Sequence, residues 1–183
     1  MSCVIGLIQR HRVYMGADSG AVGSRFIRTT NLPKVFHNGP FLIGYVGSFR
    51  MGQVLQHHLK VPPQPDGESD LGYMVTQFVE AVRGTLKEKG VMAVDHQKES
   101  GGQFLVGYRG RLYSVNSDFH VGDMADGSDA IGSGAVIALG AMMALGGHPP
   151  RDRITRALEI AEYYTPDVCP PFHLHVLAAK PSG

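Results

Sequence analysis

Cysteine is scarce in this chain, and its scarcity excludes two architectures. Cys3 and Cys169 are too few and too far apart in sequence for a disulfide framework or a metal knuckle, so a reducing, cytoplasmic location is expected. A surplus of one charge is missing as well: 17 Lys and Arg stand against 16 Asp and Glu, a formal net charge of +1. No clustered basic stripe of the kind that phosphates select is present, so neither a nucleic-acid nor a membrane surface is expected as partner. Long apolar runs are absent too. The opening run stops at Arg10, His11 and Arg12, too soon for a signal peptide, and nothing approaches the ~20 apolar residues of a membrane span. Repeats and low-complexity tracts are lacking. A chain of 183 residues with these properties suits one soluble, intracellular domain over 1–183.

Glycine, by contrast, is abundant. The 24 glycines fall beside apolar runs, which suits tight hairpins and close backbone approach rather than disorder. Two β-type runs, Cys3 to Ile8 and Val13 to Ala17, flank a short basic turn and read as a hairpin beginning at the first residues. A small, polar loop over Ser19 to Asn31 follows, then Lys34-Val35-Phe36, Asn38-Gly39-Pro40 and Phe41 to Val46. Asn-Gly between apolar runs is a strong hairpin signal, since both residues tolerate positive φ. A helix is predicted from Ser48 to about Leu59, broken by the proline-rich segment from Pro62. A second runs from Leu71 to Lys89, its apolar stripe containing Leu71, Met74, Val75, Phe78, Val79, Val82 and Leu86. An exposed loop over 95–102 precedes strands over Gln103 to Ser117, and an acidic loop spans Asp123 to Asp129. Ala130 to Gly134 leads into a helix to about Leu145 that is apolar nearly all round and must be covered on several sides. A last helix, Arg151 to Tyr164, and a strand, Phe172 to Ala178, complete the order. Strands, two helices, strands, two helices and a strand argue for α+β: two stacked antiparallel sheets between helical layers, a four-layer αββα sandwich.

Several polar groups fall where apolar strands end. A residue 2 held in a sheet suggests that the terminus itself has a task. Ser2 is small enough for Met1 to be removed by a methionine aminopeptidase, which would leave one residue carrying a nucleophilic hydroxyl and its own α-amine as base. Asp18 ends the second strand, Lys34 heads the next, and Gly132-Ser133-Gly134 precedes the apolar helix. A lysine beside the hydroxyl would lower its pKa, a carboxylate would hold the lysine, and Gly44 could offer an unhindered N–H to a developing oxyanion. Taken singly, each has a plainer reading: Asp18 a turn residue, Lys34 a strand-edge lysine, Gly132-Ser133-Gly134 a tight turn with an N-cap or a small anion site. His173 and His175, with His37 or His120, could in principle bind a metal, but no third ligand sits at useful spacing and a core or surface pair is the expected reading. No cofactor is indicated.

In this order and spacing the chain resembles the β-type subunits of the proteasome and the proteolytic subunit of the bacterial two-component ATP-dependent protease, both N-terminal nucleophile hydrolases. Gly16-Ala17-Asp18, Pro33-Lys34-Val35-Phe36, Gly44-Tyr45-Val46-Gly47 and Gly132-Ser133-Gly134 carry the resemblance, with Asp167 before the final strand. It implies a threonine-protease-like peptidase or amidohydrolase: Ser2 as nucleophile and, through its amine, base; Asp18 and Lys34 tuning it; Gly44 supplying the oxyanion N–H; Ser133 and Asp167 holding the amine. It also implies a homo-oligomer, a ring or stacked assembly, acting on a peptide or protein substrate, and admits an ATPase partner. A catalytically inactive structural or assembly subunit of the same fold is the alternative. Three departures stand out: Ser2 in place of threonine, Gly20 where the family often carries arginine, and Pro170-Pro171 in place of a serine-glycine pair.

Overall fold

In the computed structural model, which describes residues 2–23, 25–96 and 98–178, the two opening apolar runs fold back on each other. β1 (Cys3–Gln9) pairs antiparallel with β2 (Arg12–Ala17). Arg10 and His11 both take positive φ, 51° and 57°, the turn geometry that follows the twist of paired strands. Met1, whose removal the reading of Ser2 requires, lies outside the described residues.

The stretch after Asp18 is not the plain loop its composition predicts. β3 (Gly20–Val22) and β4 (Ile27–Thr29) form a small hairpin within it, too short to leave a period in the sequence. β5 (Val35–Asn38) and β6 (Phe41–Val46) meet at the Asn-Gly turn, where Gly39 has φ 54°. α1 (Phe49–His57) is capped by Ser48, whose hydroxyl accepts from the Met51 N–H at 3.2 Å. Further on, α2 (Asp70–Tyr73) passes through a π-helical segment, Met74–Phe78, into α3 (Val79–Glu88). Met74, Phe78, Val82 and Leu86 are all buried and recur every four residues. A regular α-helix turns about 400° in four residues, so such a stripe would drift around its surface; the wider π turn brings it back. Leu71 and Val75, expected in that stripe, instead face out, 44% and 50% exposed.

β7 (Ala93–Asp95) and β8 (Lys98–Ser100) form a second small hairpin where a loop is predicted. β9 (Gln103–Tyr108), β10 (Arg111–Val115), β11 (Val121–Gly122) and β12 (Ser128–Gly132) follow, then α4 (Ala135–Ala144), α5 (Pro150–Tyr164) and β13 (His173–Leu177). The strands form a four-stranded sheet, β12-β1-β2-β13, and a five-stranded sheet, β11-β10-β9-β6-β5, both antiparallel.

Three apolar clusters make the four layers. Val4, Val13, Met15, Val35, Leu42 and Leu105 fill the space between the sheets. Ile5 and Leu7 pack under Met142 of α4 and Ile154 and Leu158 of α5, while Ile43 and Val106 pack under Val54 of α1 and Phe78 and Val82. Strands covered on both faces carry apolar residues without alternation, which is why β1 and β6 read as continuous runs. The expected αββα sandwich is the observed architecture.

Candidate active site

The cavity between strand ends is built from the start of β1. By the two-residue period of a strand, Ser2 lies on the same side as Val4, which faces the second sheet. Lys34, immediately before β5, meets it there: the Lys34 Nζ donates to Ser2 Oγ at 2.8 Å. The same ammonium donates to both oxygens of Asp18, at 2.9 and 2.8 Å, and to the Gly20 carbonyl at 2.7 Å. Asp18 is placed by β2, since the residue after Ala17 falls opposite Cys3. Its Oδ1 accepts from the Cys3 N–H at 2.9 Å and its Oδ2 from the Gly20 N–H at 2.8 Å and the Cys169 N–H at 3.4 Å. Lys34 and Asp18 are both buried, as is Ser2. A buried ion pair adds little net stability over an apolar pair of the same shape, so one directed at a hydroxyl in a cavity points to chemistry.

Ser133 completes the grip on residue 2. The Ser2 N–H donates to Ser133 Oγ at 3.2 Å, and that hydroxyl donates to the Ser2 carbonyl at 3.3 Å. Gly134 donates its N–H to the same carbonyl at 3.3 Å. Gly132, with φ 99°, must be glycine, because a Cβ there would run into the Ser2 carbonyl.

The cavity beside Ser2, about 110 Å³, is lined by Gly20, Val22, Lys34, Tyr45, Val46, Gly47 and Phe49. Gly44, expected to supply the oxyanion N–H, is not among them. The Tyr45 N–H donates to the Lys34 carbonyl at 2.9 Å, and donors alternate sides along a strand, so Gly44 turns its N–H toward Leu105 of β9, its register partner. Its α-carbon faces Met15 and Val4, where a Cβ would meet Met15 Sδ at 2.5 Å. The glycine placed at the cavity is Gly47, just past the end of β6, at φ 85° with open space around its α-carbon. Sequence reasoning missed it because Gly44 and Gly47 both fall near the end of the same apolar run.

Asp167 sits half-buried in the turn after α5 and meets the site through its backbone: its carbonyl lies 3.1 Å from where a Cβ on Gly20 would stand. That crowding, together with Asp18 Oδ2 at 2.9 Å, is why residue 20 carries no side chain. Pro170 and Pro171 are joined by a cis peptide, and the Ser19 hydroxyl donates to the Pro171 carbonyl at 2.6 Å.

Both cysteines are free thiols. Burial, then the charge of Asp18, pushes the Cys3 thiol up to about 12, with Lys34 opposing, and burial likewise raises Cys169. Both thiols are thereby held further from their thiolate forms near neutral pH. Phe49 stands with its ring centroid 5.9 Å from the Lys34 ammonium and packs edge-on against Tyr45. Among the described residues, no group of three or more His, Cys, Asp or Glu side chains could hold a metal ion, and no helix is long and apolar enough to cross a membrane.

Layer order and sheet topology together define a class of architecture: this is the proteasome-like N-terminal nucleophile hydrolase fold. Solved structures carry the comparison further. The chain is similar to Thiobacillus denitrificans BPH, with a TM-score of 0.80 and 20% identity over 98% of this chain and 100% of that one, and to that protein in complex with Epoxomicin, at 0.79 and 19% over the same shares. It is similar to HslV from Trypanosoma brucei, at 0.69 and 21% over 96% and 99%. The Anbu (Gly-1) mutant from Hyphomicrobium sp. strain MC1 matches at 0.68 and 13% over 98% and 84%. No family model and no curated protein matches the sequence. At these identities the likeness establishes the fold.

Proposed function

We propose that the chain, as a single domain, is an N-terminal nucleophile hydrolase that cleaves peptide or other amide bonds with Ser2. The observation that carries this reading is the Ser2 hydroxyl 2.8 Å from a buried lysine that is itself ion-paired to a buried aspartate. With Met1 removed, the Ser2 α-amine takes the proton from Oγ as that oxygen bonds to the substrate carbonyl carbon. Lys34 steadies the negative charge developing on Oγ, and Ser133 positions the amine. Gly47, at the cavity wall, supplies the N–H for the developing oxyanion in this reading. Collapse breaks the C–N bond, the amine returns the proton to the leaving nitrogen, and water then hydrolyses the ester on Ser2. Val22, Tyr45, Val46 and Phe49 supply apolar wall for the side chain on the acyl side of the cleaved bond.

The protein acts as a homo-oligomer in this reading. α4 (Ala135–Ala144) has no polar side chain, yet Val136 and Met143 are 83% and 82% exposed. An uncharged face of this kind can meet a second copy of itself without placing like charges together. A cytoplasmic location and an ATPase partner suit the reading.

Intact-mass spectrometry tests it, before and after incubation with epoxomicin, the molecule held by the Thiobacillus denitrificans neighbour, with Ser2→Ala as control. The expected result is a chain lacking Met1 and an adduct that the substitution abolishes. Retained Met1 without an adduct would leave the inert assembly subunit as the function.

A further inference from the structure

Three histidines meet at one open side of the sandwich, away from the cavity. β5 and β13 are edge strands of their respective sheets and lie against each other. On β13, Leu174 packs into the layer under α5 while Leu177 packs against the core between the sheets, so the strand period turns His173 and His175 toward the second sheet. On β5, Val35 lies between the sheets and Asn38 reaches α1, its amide donating to the Leu55 carbonyl at 2.9 Å. His37, on the side of Val35, therefore faces β13. The His37 and His175 rings stand 6.0 Å apart, edge to face at 63°. His175 is half-buried, whereas His37 and His173 are exposed.

We propose that these histidines form an acid-sensitive latch between the two sheets, in which protonation pushes β13 away from β5 and loosens the strands that hold Asp18 and Lys34. The link to the site is short. His173 is the register partner of Ala17, the residue before Asp18, and His37 lies three residues after Lys34. The segment leading into β13 also supplies the Cys169 N–H to Asp18 and the Pro171 carbonyl to Ser19.

The groups facing His175 all disfavour its cation. From β2 comes Met15, its register partner, which carries no charge. From β5 comes His37, and from its own strand His173. Burial first, then His37 and His173, hold the His175 pKa below its ordinary 6.5. The unfolded chain takes up the proton at that ordinary value while the fold resists it. The contribution to stability is therefore full above about pH 6.5 and lost as the pH falls through and below it.

Thermal unfolding and amide hydrogen exchange of the whole protein at about pH 7.5 and about pH 5.5 test the latch, comparing the wild type with His175→Asn and His37→Asn. The wild type is expected to lose roughly 2–4 °C more in Tm on acidification than either variant, with faster exchange at β13 that the variants do not show. Equal losses in wild type and variants, or exchange at β13 indifferent to pH, would overturn the proposal. His37 is exposed, so its replacement opens no cavity and decides the matter even if His175→Asn does not fold.

Discussion

Lys34 has three N–H groups and four acceptors within 2.9 Å, so its charge is shared among Asp18, the Gly20 carbonyl and Ser2, and everything at the site depends on its staying there. At this scale the informative substitution is Lys34→Ala. It leaves the Asp18 carboxylate buried with only backbone N–H donors, and removing one partner of a buried pair costs about 3–5 kcal/mol. Urea denaturation should show that loss. Combining Lys34→Met with Asp18→Asn should recover most of the stability, because a buried charge no longer stands uncompensated, while adduct formation at Ser2 stays lost. Undiminished trapping in Lys34→Ala would mean that the lysine holds the fold and does nothing for the hydroxyl. The glycines answer to the same local scale: residues 20 and 132 are glycine because Asp18 and the Ser2 carbonyl occupy the space of a side chain.

Among elements, the helix running through the π segment offers the sharpest contrast. Val75 and Phe78 both belong to the apolar stripe as the sequence displays it, yet Val75 is half exposed and Phe78 fully buried against Phe41. Phe78→Ala should cost about 3–5 kcal/mol through lost burial and a cavity. Val75→Ala should stay within about 0.5 kcal/mol. Equal costs would mean that the helix is regular in solution and that its stripe is rotated. The strands of the sandwich show the converse. Their apolar runs need no period to be read, because each is covered on both faces, and the hairpin turns at Arg10-His11 and Asn38-Gly39 punctuate them.

At the scale of the whole molecule, the outer face of α4 is an exposed apolar feature that carries Val136 and Met143. If copies of the chain meet there, Val136→Glu with Met143→Glu should shift the protein to monomer in sedimentation velocity without lowering its unfolding midpoint, since both side chains are exposed. An unchanged assembly would place the contact elsewhere, and a chain that is monomeric to begin with would remove the homo-oligomer from the proposed function. The acid response belongs to this scale too, because it acts between sheets rather than within either.

The sequence by itself determined the layer order and marked polar groups that stand together at the strand ends. Strand and helix periods, Asn-Gly, and polar groups at apolar strand ends are local signals, and Ser2, Asp18, Lys34 and Ser133 converge as those signals imply. Only the tertiary structure decided which glycine borders the cavity. Gly44 and Gly47 look alike in sequence, but the side to which a strand residue turns its N–H depends on hydrogen bonding to both neighbouring strands, and those neighbours are residues 35 and 105. The small hairpins at 20–29 and 93–100 and the facing of His37 toward His175 were hidden for the same reason. Three-residue strands carry no period, and contact between two sheet edges brings together residues more than a hundred positions apart, a proximity that no local pattern encodes.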